Sequence, residues 1–266
     1  MSGETVKHPI VWLASYPKSG NTWLRFSVTA LIQGELPTSQ IVKEQMPDIH
    51  EPGFKLYPLL EQGLCFVKTH HMYADTMQGA GQTAGFIYMI RNPIDVLASN
   101  YNYILRNAPQ LARPIEEYVA TYLEQYGDPR WIGLKMGSWI ENVSTWVELS
   151  SKTPGLLLRY EDMIKDPVAV LKLIAQYLNL ERSDEQVERA AELCSFSSMR
   201  EMEEREIQNQ IKGMFFDVRK SGILENNKRF VNQGGSKGAK MLLSDSLRDE
   251  IAERFRPIAE KLGYDL

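Results

Sequence analysis

Cysteine is scarce in this chain: of 266 residues only Cys65 and Cys194 are cysteine, and only four are histidine. Two thiols so far apart in sequence supply neither a disulfide framework nor the paired spacing of a zinc site. They fit a reducing, cytoplasmic setting. Long hydrophobic runs are missing as well. No stretch approaches the roughly 18 apolar residues of a membrane span, and no apolar run follows a basic start at the N-terminus. The chain is therefore expected to be neither exported by a signal peptide nor inserted in a membrane. It also lacks an excess of charge of one sign. Thirty Lys plus Arg face 34 Asp plus Glu, for a net charge of -4, so no global basic field recruits nucleic acid or an anionic surface. Any anion site must be local. No internal repeat and no linker divides the chain, and 43% hydrophobic with 24% charged residues is ordinary for a folded protein. One α/β domain over residues 1–266 is expected. Nothing here fixes an oligomeric state.

What is present is a set of short apolar runs that end in polar residues. Ile10-Val11-Trp12-Leu13-Ala14 reads as a buried strand ending at Ser15. Leu64-Cys65-Phe66-Val67 enters Lys68-Thr69-His70-His71, Gly85 to Ile90 enters Arg91-Asn92-Pro93, and Leu156-Leu157-Leu158 enters Arg159-Tyr160-Glu161-Asp162. Helical spacing starts at Thr22 and stops at Gly34, and it recurs at Asp95 to about Leu105, Ile115 to Tyr126, Ser138 to Leu149, Pro167 to Leu178, Asp184 to Leu193 and about Ser246 to Leu262. Short buried strands alternating with helices predict a mostly parallel sheet covered on both faces, with ligands beyond the carboxyl ends of the strands. Asn226 to Lys240 reads as a long loop, and the charged run Arg200 to Glu206 as a solvated helical face.

The segment Ser15-Tyr16-Pro17-Lys18-Ser19-Gly20-Asn21-Thr22-Trp23 joins the first strand to the first helix. Such a loop presents unpaired N–H groups and the positive end of a helix dipole, which favour a bound phosphate. Lys18 and the hydroxyls of Ser19 and Thr22 add to this, and Gly20 permits an unusual backbone or close approach of a ligand. In the P-loop of ATP- and GTP-using enzymes the lysine follows the last glycine. Here Lys18 precedes Gly20, so the segment keeps the physics of that loop but fails its pattern.

Tyr16 to Trp23 strongly resembles the 5′-phosphosulfate loop of cytosolic-type sulfotransferases, YPKSGTTW, matching seven of eight positions with Asn21 in place of a threonine. Arg91 to Ser99 resembles the 3′-phosphate element of the same family, an arginine at a strand end with a serine eight residues on. The resemblance continues through Arg159-Tyr160-Glu161-Asp162 to Leu262-Gly263-Tyr264. Around Gly137 to Trp146 it is closest to bacterial members, including those that sulfate glycopeptide natural products. It implies a P-loop-like fold and transfer of a sulfuryl group from 3′-phosphoadenosine-5′-phosphosulfate (PAPS) to a hydroxyl of a small molecule or natural product, with PAP as the other product and no metal.

The resemblance also implies roles. Lys18 stabilises the leaving phosphate, with the N–H groups of residues 19 to 22. His70 maps to the general base, with His71 as the local rival, and Lys68 adds positive charge near the transferring group. Arg91 and Ser99 hold the 3′-phosphate, while Trp23, Tyr160 and Phe196 face the adenine. The family closes its site with F-x-R-K-G near the C-terminus. Two stretches compete for that role here: Phe230-Val231-Asn232-Gln233-Gly234, preferred on spacing but without both cations, and Val218-Arg219-Lys220-Ser221-Gly222, which has them. The rival functions are a P-loop small-molecule kinase and a non-catalytic nucleotide-binding scaffold.

Overall fold

β1 (Ile10–Ser15) lies at the centre of the molecule because every one of its six residues is buried. Its side chains alternate in direction, as the pleat requires. Ile10, Trp12 and Ala14 enter one apolar core, whereas Val11 and Leu13 enter the other. β2 (Cys65–Thr69) and β3 (Thr83–Ile90) pair with β1 on either side, and β4 (Gly155–Arg159) pairs with β3. All three pairings are parallel and the order is β2-β1-β3-β4. The structure is a computed structural model and describes residues 8–35, 38–53, 55–220, 231 and 237–266, with the backbone path alone at 218–220 and 237–238.

Helices cover both faces, which is what continuous apolar strands demand. Asn21–Gln33, Pro167–Tyr177 and Asp184–Leu193 pack on the Val11 and Leu13 face. Pro93–Asn107, Ile115–Gln125, Trp139–Leu149 and Asp245–Ala259 pack on the other, where Trp146 lies against Phe86 and Tyr88. Helix starts follow the expected chemistry. Ser138 and Ser183 each close a capping box with Glu141 and Gln186, and Gly34 ends the first helix at a φ of 76°.

The chain passes from β1 to β2 on one side and then crosses to β3 on the other. Strand order therefore reverses between β1 and β3, whose carboxyl ends are adjacent through the pairing of Ser15 with Met89. A crevice forms at such a point, and it places the segments after Ser15 and Ile90 face to face.

Two expectations need correction. Asn226 to Lys240 is not loop throughout, because Lys237–Leu242 is helical. Arg200 to Glu206 does lie in a helix, Phe196–Gln208, but its face is not uniformly solvated: Glu203 and Glu206 are each only 1% exposed. Glu206 accepts from the Ser39 N–H at 2.8 Å and the Ser39 hydroxyl at 2.5 Å, and Glu203 accepts from the Val231 N–H at 2.8 Å. A carboxylate with such donors can be buried, and charge spacing alone does not reveal them.

Candidate active site

The carboxyl ends of all four strands open on one cavity of about 1140 Å³. Lys18, Gly20, Asn21, Thr22 and Trp23 line it from beyond β1, Lys68 and His70 from β2, Arg91 from β3 and Tyr160 from β4. Ser99 lines it from the helix Pro93–Asn107, and Phe196, 38% exposed, lines it too. Of the residues expected in the site, Ser19 is buried beneath the loop. Asn232, Gln233 and Gly234 lie outside the described residues, as do the side chains of Arg219 and Lys220.

The loop after β1 is shaped by two residues in the left-handed region, Lys18 at φ 70° and Gly20 at φ 99°. Glycine is required at 20 for a further reason: a β-carbon there would come within 2.6 Å of the Tyr160 ring. The Asn21 amide ties the loop to its strand, donating to the Leu13 carbonyl at 2.9 Å and to Ser15 Oγ at 3.3 Å. Ser19 N–H donates to the Tyr16 carbonyl at 3.3 Å, so it does not join the expected set of free donors. The first bond that enters the helix is from Leu24 N–H to Gly20 at 3.1 Å, which leaves the N–H groups of residues 21 to 23 at the helix head. Ser19 Oγ and Asn21 Oδ1 are buried without a hydrogen-bond partner among the described residues.

Cations converge on this loop. Arg91 donates from Nη1 to the Lys18 carbonyl at 3.1 Å, and its guanidinium lies 4.4 Å from the centre of the Tyr160 ring. Lys18 Nζ lies 4.5 Å from the centre of the Tyr103 ring. Burial, and after it the positive charges of Arg106, Arg91, Arg130 and Lys68, pulls the Lys18 ammonium down to a pKa of about 7. A bound anion would offset that repulsion. Beside the cations, Trp23 and Tyr160 meet edge to face at 5.7 Å, with Trp23 Nε1 held by the Cys194 carbonyl at 2.9 Å. These rings form an aromatic corner suited to a flat base.

His70 occupies the end of β2. Its Nδ1 lies 2.8 Å from the Ser15 carbonyl oxygen, which can only accept, so Nδ1 carries the proton and Nε2 the lone pair. Burial, reinforced by the Lys68 charge, holds the ring pKa well below the usual histidine value, so the ring is neutral at physiological pH. Lys68 Nζ is held 2.5 Å from Asp48 Oδ2. Its charge therefore reaches the cavity as half of an ion pair. The rival His71 does not line the cavity; it meets His50, which does, edge to face at 4.2 Å.

A family model described as the sulfotransferase domain matches residues 8–264. The chain belongs to the sulfotransferase domain family. Rat sulfotransferase 2A6 is 30% identical over 206 residues, covering 74% of this chain and 68% of the relative. The fold of this sulfotransferase resembles retinol dehydratase in complex with retinol and PAP, at a TM-score of 0.67 and 16% identity, covering 93% of this chain and 80% of that one. It also resembles mouse sulfotransferase SULT7A1 complexed with PAP, at a TM-score of 0.63 and 19% identity, covering 94% and 85% of the two chains.

Several lining residues of this sulfotransferase went unread in its sequence. Tyr103 and Arg106 follow Ser99 at four and seven residues on the helix Pro93–Asn107, so helical spacing could have placed all three on one face. Asp48 and His50 lie in the irregular segment before β2 and carried no comparable signal. Glu161 follows the end of β4. It accepts from Asn92 N–H and from the Tyr264 hydroxyl, each at 2.9 Å, and so joins the end of β3 to the last turn of the chain.

Proposed function

We propose that this sulfotransferase transfers a sulfuryl group from PAPS to a hydroxyl of a small-molecule acceptor, with His70 as general base. The observation that carries the reading is the convergence at the β1/β3 switch point: Lys18 with its helix head and Arg91 share one cavity, and a neutral His70 of fixed tautomer stands beside them. The cations gathered around Lys18, whose charges add to burial in lowering its pKa, fit a nucleotide that is anionic at both ends. PAPS, when bound, supplies the activated sulfuryl group.

The chain's own residues do the rest. Lys18 and the N–H groups of residues 21 to 23 would hold the 5′ end and neutralise charge growing on the departing phosphate, help that is strongest where it is preorganised. Arg91 and Ser99 would hold the 3′-phosphate, the former through its planar fork of donors. Trp23, Tyr160 and Phe196 would receive the adenine. His70 Nε2 takes the proton from the acceptor hydroxyl, while the Ser15 carbonyl keeps Nδ1 protonated and the ring in position. Lys68 would add positive charge near the transferring group, positioned by its ion pair with Asp48. We retain Asn232-Gln233-Gly234, with Arg219 and Lys220 as the alternative, as the segment that completes the 3′-phosphate site. The acceptor would be a hydroxyl of a small molecule or a natural product, the latter in keeping with the resemblance of Gly137 to Trp146 to bacterial glycopeptide enzymes.

A thermal-shift comparison tests the donor. Micromolar PAP is expected to raise the melting temperature, and ATP with magnesium to have little effect; the reverse ranking would favour a kinase. Transfer from PAPS is then read by mass spectrometry as a sulfate increment on an acceptor.

A further inference from the structure

We infer that the acceptor end of the cavity is built for an uncharged molecule with several hydroxyl groups, such as a glycoside, and not for a sterol or another apolar alcohol. This rests on the PAPS reading of the same site, since it takes His70 to mark where the acceptor hydroxyl lies.

Lys68 and His70 enter the cavity from β2, the His50 ring stacks 6.4 Å from that of His70, and Asp48, Lys43, Glu51 and Asp217 line the same cavity. The charges in this group are arranged in pairs. Lys68 binds Asp48 at 2.5 Å, and Lys43 lies 3.6 Å from both Glu51 and Asp217. The buried Arg25 guanidinium, which also lines the cavity, is turned to the Val42 and Met46 carbonyls through Nη2 at 3.3 and 2.5 Å. Three carboxylates thus face two ammonium groups and one guanidinium, so this end has no net charge with which to select an ionic acceptor. It does present donors and acceptors side by side.

The Lys43, Glu51 and Asp217 side chains are 36%, 47% and 35% exposed, and they retain contact with water. An apolar alcohol would strip that water and return nothing, leaving the polar groups stranded. A hydroxyl both donates and accepts, so a polyol can replace water at neighbouring carboxylate and ammonium groups at once. His50 belongs to the same surface. Its ring lies 6.4 Å from that of His70, and burial holds its pKa at about 4, so at neutral pH it offers one donor and one acceptor without charge.

The test uses the full chain loaded with PAP. Saturation-transfer NMR is recorded with the methyl glycosides of glucose, galactose and mannose, and with a 3-hydroxysteroid. At least one glycoside is expected to bind, and Glu51→Ala or Asp217→Ala to weaken it by about fivefold or more relative to the steroid. Tighter binding of the steroid, no signal from any glycoside, or a glycoside-to-steroid ratio unmoved by both substitutions would overturn the inference. Folding of the variants is checked by their PAP-induced thermal shift. Failure of the unsubstituted chain to bind PAP in that control would instead remove the PAPS reading, so the two failures are distinguishable.

Discussion

The two flanks of β1 carry similar numbers of charged groups but arrange them in opposite ways. Toward β3, burial and, after it, the positive charges of Arg106, Arg91 and Arg130, the last of them paired with Asp128, lower the affinity of Lys18 for its own proton. Toward β2, every ammonium has a carboxylate within 3.6 Å. Like charges gathered in a buried site are held at a cost that a ligand of opposite charge lowers, whereas alternating charges ask for no ion. On the proposed reading the first flank would grip an anion and the second would orient a neutral partner, with His70 on the boundary.

The sharpest break would come from the boundary itself. His70→Ala is expected to reduce turnover by about 10²–10⁴ while leaving PAP affinity nearly intact, measured by steady-state kinetics and calorimetry. Near-native turnover would move the base elsewhere. Next comes Lys18→Met, expected to lower kcat by about 10²–10³, the scale of losing one preorganised electrostatic donor, and to weaken PAP as well. Arg91→Ala should act on affinity, raising the Kd for PAP by roughly 10–100-fold, with a smaller change in kcat at saturation.

A fourth prediction uses pH. Lys18 is protonated in the free enzyme below about pH 7 and loses its charge above it. A bound anion favours the ammonium, so binding above pH 7 must take up a proton. PAP affinity should therefore fall as pH rises from 7 toward 9, by at most about tenfold per unit, and calorimetry in buffers of different ionisation enthalpy should detect the uptake. Lys18→Met should flatten this slope. The smallest effect is expected on the balanced flank: Asp48→Asn frees the Lys68 charge, and PAP affinity should change by less than about fivefold because the ion pair lies away from the β3 side. A large gain would mean that Lys68 belongs to the anion grip.

The anion flank was legible in the sequence because its parts are local. Lys18 and Gly20 sit within a few residues of a strand end, and Arg91 and Ser99 share one strand-to-helix junction. Most element boundaries were legible for the same reason, since Ser138, Ser183 and Gly34 mark helix ends through contacts a few residues away. The balanced flank was hidden because its pairings are long-range or irregular. Lys68 finds Asp48 across a segment without periodicity, and Asp217 reaches Lys43 from the other end of the chain. Glu206 was misread because its partner, Ser39, lies 167 residues away. Charge patterns report what a helix face could do in water, and tertiary donors decide whether it stays there.

The close approach of residue 20 to the ring at 160 also constrains descent. With a β-carbon at 20 excluded by Tyr160, and the backbone there at φ 99°, a lineage that acquires a side chain at this position must first trade the tyrosine for something smaller, and so give up the surface beneath Arg91. Glycine and tyrosine at these two places should accordingly be inherited as a pair, although 140 positions separate them in the chain.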